Sequence, residues 1–367
     1  MASSDTVFIK AALELAALGR NSCAPNPPVG CLIVRDGAVI GRGYHQQAGQ
    51  GHAEVNAIAD ANGDVAGATV YVTLEPCAFV GRTPACAQTL IDAGVSRVIV
   101  GAEDPHPQVA GKGTQMLRQA GVDVAVLELA EAQAMIAGFA SRITRKRPRV
   151  VLKSASSLDG AVALANGESQ WITGPQARQR VQVLRAQSDA VITGAGTVVA
   201  DNPQLNVRDP ELLQGHLQQP LRVVLDPKLR IPGDRRILSS GTLVVHTQGA
   251  EAGYRGVARD EPEYLALSGE SIDLGILLEA LAERGCNNVL VEAGPGLLGS
   301  FLQPGPAPLW DEWVCFIAPK TLGTASQSLA GFTLTELAQA HAARIVEHTI
   351  VGEDLCLRLV PERGSQG

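Results

Sequence analysis

Short apolar, β-rich runs alternate with helical segments through the first third of the chain, and that alternation limits the architecture to an open α/β sheet. Residues 29–34 and 38–43 read as strands, and the Arg35-Asp36-Gly37 between them predicts a tight hairpin turn, because Asp-Gly tolerates the positive φ such turns need. A helix is predicted from about Ala53, a buried strand over 69–74, a helix over 86–93 closed by Gly94, and a strand over 97–101. Residues 114–120 and 122–127 repeat the alternation. Ahead of these, Ser3, Ser4 or Asp5 caps a helix to about Leu18, stopped by Gly19. Lys10 and Glu14 interrupt that helix, so it reads as neither signal peptide nor membrane span.

The second half restarts the pattern, with strands over 149–154, 189–193, 221–226, 242–246 and 288–292. Helices fall over 176–187 and 273–284, the latter with Gly285 beyond it. Composition supports the same class: 46% of residues are hydrophobic but only 4% aromatic, so the cores are built from Ala, Val, Leu and Ile. A length of 367 residues predicts two domains. The basic run from Arg142 to Arg149 marks the boundary, with domains over 1–145 and 146–367, and reads as a solvated linker in preference to a phosphate-binding patch.

The net charge of -7 argues against a partner with a long phosphate backbone, so no nucleic acid is expected. No segment is long and apolar enough to cross a membrane. Seven scattered cysteines, an odd number, do not resemble a disulfide framework, and they place the chain in the cytoplasm.

Among those cysteines, Cys77 follows Pro76, Cys86 opens a predicted helix, and His52-Ala53-Glu54 stands upstream. One imidazole and two thiolates suit Zn²⁺, and three protein ligands leave a tetrahedral position open for water. Glu54 is placed as the general acid/base that moves a proton from that water to a leaving amine. Both ligand groups lie where open α/β sheets put their sites, at strand ends and helix starts. Cys77 is expected near a helix start, where the dipole favours the thiolate. A closed structural site would need a fourth ligand such as Cys31 or His45.

H-x-E with P-C-x-x-C is the signature of zinc nucleobase deaminases. Here eight residues separate the cysteines instead of two. With Asn26-Pro27-Pro28-Val29-Gly30, Gly43-Tyr44-His45 and Gly81-Arg82-Thr83-Pro84, this spacing resembles the deaminase half of the bifunctional deaminase/reductase family of riboflavin biosynthesis. The second half extends the match through 153–160, 167–173, 184–186, 196–205 with Arg208, and 291–296. The resemblance implies a cytidine-deaminase-like three-layer domain followed by a dihydrofolate-reductase-like α/β domain. It also implies a homo-oligomer that acts on a small phosphoribosylated pyrimidine with Zn²⁺ and NADPH.

By the same resemblance Asn26 and His45 line the base pocket and Arg82 approaches the ribose phosphate. Ala155, Trp171, Thr197, Asp201 and the run Gly294, Pro295, Gly296, Leu297, Leu298, Gly299, Ser300 contact NADPH. Ser169, Arg185, Leu205, Arg208 and Glu292 hold the reductase substrate, the guanidinium groups of Arg185 and Arg208 offering paired donors to a phosphate. The chain departs from the family at Ala78-Phe79-Val80, where Ser, His and an aromatic are usual, and at Pro227, where Ser is frequent. Gly294 to Gly299 spells G-x-G-x-x-G, but so late in its domain that a Rossmann unit is rejected.

Two other readings compete: a nucleic-acid base deaminase with an accessory domain, and a zinc-stabilised binding protein without turnover. The acidic charge and the long Cys77 to Cys86 loop count against the first, and Glu54 against the second.

Overall fold

The computed structural model describes residues 4–79, 85–107, 109–213, 218–250, 261–303, 307–324, 326–340 and 342–362. The chain divides into two compact units, Met1–Arg147 and Pro148–Gly367. Among the described residues no helix is long and apolar enough to cross a membrane.

Unit 1 contains α1 (Ser4–Leu18), β1 (Gly30–Arg35), β2 (Ala38–Tyr44), α2 (Ala53–Asp60), β3 (Thr69–Val72), α3 (Cys86–Asp92), β4 (Arg97–Val100), α4 (Lys112–Gln119), β5 (Asp123–Val126), α5 (Ala130–Met135) and α6 (Ala137–Arg145). The sheet order is β2-β1-β3-β4-β5, with β1 antiparallel to both β2 and β3 and the later strands parallel. Asp36 and Gly37 both adopt positive φ, 52° and 77°, so the predicted hairpin turn is formed by the two residues that tolerate it.

Strand alternation divides the apolar residues between two faces. Cys31, Ile33, Val70, Val72, Val98 and Val100 meet Ala57, Leu90 and Leu117 of α2, α3 and α4, whereas Leu32, Tyr71 and Ile99 meet Ile9 and Ala12 of α1. Helix, sheet and helix make three layers, as the resemblance implied.

Unit 2 contains β6 (Arg149–Ser157), β7 (Ala161–Ala163), α7 (Pro175–Ala186), β8 (Ala190–Gly194), α8 (Ala195–Asp201), β9 (Leu221–Leu225), β10 (Thr242–Thr247), β11 (Glu263–Leu267), α9 (Leu274–Glu283), β12 (Asn288–Glu292), α10 (Pro295–Leu302), β13 (Glu312–Ala318), β14 (Gln327–Ser328), β15 (Ala343–Val351) and β16 (Asp354–Pro361). Its large sheet runs β11-β10-β9-β8-β12-β6-β13-β16-β15; it is parallel as far as β13, and the last two strands are antiparallel. Asp273 caps α9 by accepting from the Ile276 N–H at 3.0 Å.

The basic run spans the boundary between the two units. Its first four residues form the last turn of α6, where cations complement the helix dipole, Lys146 ends the helix in the left-handed region, and Arg149 opens β6.

Candidate functional site

In unit 1 the ligand set is assembled by two helix starts and one strand end. His52 occupies the N-cap position of α2 in extended backbone, Glu54 lies in the first turn, and Cys86 is the first residue of α3. Gly43 allows α2 to lie directly on β2: a Cβ there would stand 2.3 Å from the Ala53 oxygen and 2.4 Å from the Ala57 nitrogen. Cys77 does not start a helix, contrary to expectation. It sits in an irregular segment beyond β3, and its sulfur instead accepts from the Cys86 N–H at 3.3 Å, so the amide end of α3 reaches it through space.

The donor atoms of His52, Cys77 and Cys86 all lie within 4.8 Å of one another, and among the described residues no fourth Cys, His, Asp or Glu joins them. Nδ1 of His52 is 3.1 Å from Cys86 Sγ and 3.8 Å from Cys77 Sγ. One nitrogen and two sulfurs at this separation fit zinc, and a three-residue set fits a site with an open position. Cys31 is buried in the core within β1, and every cysteine is free of disulfides.

The electrostatics divide the two thiols. The hydrogen bond from the Cys86 side chain, supported by His52, lowers Cys77 to about 4, while the same bond and burial raise Cys86. The pair thus favours the thiolate on Cys77. Glu54 is 3% exposed, and burial pushes its carboxyl up to about 7, into the range of a general acid/base at neutral pH.

Asn26 and His45, separate in sequence, are brought together beside this set. Asn26 Nδ2 is 3.0 Å from His45 Nε2, His45 Nδ1 is 3.1 Å from the Gly51 carbonyl, and the His45 ring lies 5.3 Å from that of His52, edge to face. His45 is 2% exposed, which removes the alternative of a surface-loop residue. A ring that donates from Nδ1 to Gly51 accepts at Nε2 from Asn26. Arg82 lies outside the described residues. Phe79 is exposed.

The sequence reading passed over Glu75. Its buried carboxylate accepts from the N–H groups of Gly111 (2.9 Å), Thr114 (3.0 Å) and Asp104 (3.3 Å), tying the segment that carries Cys77 to the start of α4. An acid at the end of an apolar strand was the available signal.

In unit 2 Glu292 ends β12, Gly294 follows it as the cap of α10, and Thr197 follows β8 in α8, so these expected residues lie at or just beyond the carboxyl ends of two neighbouring parallel strands. Gly294 caps α10 and donates its N–H to Thr197 Oγ1 of α8 at 3.0 Å. At Gly196 and Gly296, in the first turns of α8 and α10, an added Cβ would meet nothing within 4 Å. Open backbone at two helix starts fits a dinucleotide phosphate. Pro295, Leu297, Leu298, Gly299 and Ser300 continue α10, but Leu298 is buried in the core and Gly299 backs onto Gly331. Ala155 lies in β6, and Asp201 ends α8.

Trp171 is 63% exposed, with the Arg178 guanidinium 4.5 Å from its ring centroid. It is no core aromatic. Leu205 is buried at φ 52°, a left-handed backbone at a core position. Ser169 is half-buried.

Arg185 and Glu292 form a buried bidentate pair, Nε to Oε1 at 2.5 Å and Nη2 to Oε2 at 2.9 Å, and Nη1 donates to the Asn206 carbonyl at 3.2 Å. Three of the five guanidinium N–H groups are thus used within the protein. Arg208 is exposed, and its charge helps hold Glu292 low. Lys153, beside Glu292 in register, was assigned no role from the sequence; burial lowers its pKa, and a lysine within an apolar strand was the signal.

Comparison with known proteins assigns both units. Residues 2–102 match the cytidine and deoxycytidylate deaminase zinc-binding region, and residues 148–357 match the RibD C-terminal domain. The Escherichia coli riboflavin biosynthesis protein RibD is 44% identical, the match covering 97% of this chain and 99% of that one. This chain belongs to the RibD family. The Haemophilus influenzae member is 43% identical over 98% of each chain. Among solved RibD structures, one from Acinetobacter baumannii superposes with a TM-score of 0.87 at 41% identity, covering 98% of this chain and 99% of that one. The Thermotoga maritima diaminohydroxyphosphoribosylaminopyrimidine deaminase/5-amino-6-(5-phosphoribosylamino)uracil reductase gives 0.86 at 34%, with the same coverage. Zinc in unit 1 and NADPH in unit 2 accord with this RibD membership and with the donor set.

Proposed function

We propose that the chain carries out two successive steps of riboflavin biosynthesis. Unit 1 deaminates 2,5-diamino-6-(5-phosphoribosylamino)pyrimidin-4(3H)-one by hydrolysis, and unit 2 reduces the ribosyl group of the product with NADPH, giving 5-amino-6-(5-phosphoribitylamino)uracil. The observation that carries the first step is Glu54, a buried carboxyl near neutrality beside the His52, Cys77 and Cys86 donors.

Held by those three residues, zinc supplies a Lewis acid that brings the pKa of water toward neutrality. Glu54 takes the proton of the water attacking the amine-bearing carbon. The C–N bond then breaks, and Glu54 returns the proton to the departing ammonia. Asn26 and His45 orient the base from the neighbouring wall, and Arg82 meets the phosphate.

In unit 2 NADPH, when bound, would supply a hydride for ribosyl C1, the C1–O bond of the sugar ring breaking and the ring oxygen taking a proton from solvent. Gly294 to Ser300, Thr197, Ala155, Asp201 and Trp171 seat the cofactor; Ser169, Leu205, Arg208 and the Arg185/Glu292 pair hold the substrate. The chain works in the cytoplasm as a homo-oligomer.

A coupled assay tests both halves. The diaminopyrimidine with NADPH should release ammonia and lose absorbance at the reduced nicotinamide band. No ammonia would sink the deaminase reading, and ammonia without NADPH consumption would sink the reductase reading.

A further inference from the structure

Trp171 is an exposed aromatic, yet the irregular segment that carries it is fastened at four successive residues. Lys320 Nζ donates to the carbonyls of Trp171 at 3.1 Å and Ile172 at 2.8 Å, Arg178 Nη1 donates to that of Thr173 at 2.9 Å, and the Gly174 N–H donates to the Asp354 carboxylate at 2.7 Å. Surface backbone outside helices and strands can leave such groups to water. Here side chains from three places take them: Arg178 lies in α7, Asp354 opens β16, and Lys320 follows β13.

Lys320 is held in its turn. Its carbonyl accepts from the Leu158 N–H at 2.7 Å, and the Asp159 carboxylate accepts from the N–H groups of Leu322 at 3.0 Å and Gly323 at 2.8 Å. The turn with Asp159 leaves β6 and the segment with Lys320 leaves β13, parallel neighbours, so both lie at carboxyl ends of strands, the side on which Gly294 follows β12. Asp159 belongs to the 153–160 stretch of the sequence, and this tie gives it a place there.

Arg178 acts twice. Besides its bond to Thr173, its guanidinium lies over the indole, 4.5 Å from the ring centroid. One ring face is thereby covered, and at 63% exposure the other is open. A flat aromatic surface already fixed in place costs little further ordering when a flat ligand group packs on it.

We propose that Lys320 and Arg178 are positioning residues of unit 2, which hold the Trp171 indole as a preformed platform for a planar ring of NADPH. The proposal rests on the reading above that Trp171 meets the cofactor, and it names the groups that aim the ring. They act through Trp171, so their effect must vanish when the indole is removed.

NADPH binding to the full chain, titrated by the emission of the reduced nicotinamide, tests this together with steady-state reduction. Trp171→Ala should weaken binding. Lys320→Met, at an exposed position, should raise the Kd and the KM for NADPH about threefold to tenfold, with kcat and the melting curve nearly unchanged, because a platform that meets ground and transition state alike changes KM alone. Lys320→Arg, whose guanidinium can again donate to both carbonyls, should restore most of the affinity. In a Trp171→Ala background, Lys320→Met should cost nothing more. Lys320→Met that binds NADPH as tightly as wild type overturns the proposal, and so does a loss that persists undiminished without the indole. Trp171→Ala that binds as tightly as wild type overturns the cofactor role of Trp171 as well, whereas a wild type that does not bind NADPH overturns the reductase reading itself. Should Lys320→Met misfold, Arg178→Leu decides by the same two comparisons.

Discussion

Glu54 shows what one buried side chain contributes. Two residues from His52 in sequence, it could have been an exposed acid in a helix's first turn, and burial, with the charge of Cys77 adding to it, lifts it to about 7. As a base it must be ionised, so deaminase kcat/KM should rise with pH and level off above that value. A cation on the neighbouring donors favours the carboxylate, placing the midpoint at or below about 7. A pH-rate profile checks this, and a rate that falls on raising the pH through that range would refute the role. Glu54→Gln keeps the size and loses the proton shuttle: ammonia release should drop by about 10²- to 10⁴-fold, with zinc still bound by elemental analysis. The same scale explains Arg185. Its chemistry as a phosphate ligand was legible, but its engagement with Glu292 was not, because the two are 107 positions apart.

At the scale of elements, helices α2 and α4 are seated by glycines. Gly43→Ala would drive a methyl into the backbone of α2, with no flexible side chain to give way, so a loss of about 2–3 kcal/mol is expected in chemical denaturation. Zinc retention should fall with it, since α2 carries His52. In unit 2, burial would raise the Glu312 carboxyl, but the Arg358 hydrogen bond and the nearby Arg149 outweigh it and hold it below the usual range. A depressed carboxylate stabilises the fold above its unfolded pKa, about 4.3, and that stabilisation is lost as pH falls through the folded value. Glu312→Gln should therefore cost about 1–2 kcal/mol near neutrality, a modest figure because Arg358 is 40% exposed. In acid, below that unfolded pKa, the cost should shrink; a cost independent of pH would contradict this account. Elements with regular periodicity were legible within a residue or two, as for β12 and α9. The strands β13 and β15 were not read: β13 is buried on both faces, apart from its half-exposed Trp313 and Ile317, and the bulge in β15 breaks its alternation.

For the whole molecule, the two chemistries occupy separate units, each with its own sheet and core. Chelation should therefore abolish ammonia release while NADPH oxidation continues on substrate already deaminated, and loss of both activities on chelation would argue against this division. The chain by itself determined the ligand types, the α/β alternation and the acid beside the ligand histidine, because these are local chemistry written at short spacing. Only the tertiary structure decided that His52, Cys77 and Cys86 converge, that Asn26 meets His45, and that Glu54 sits near neutrality. Convergence and burial depend on which distant segments pack together, and no local stretch of sequence carries that information.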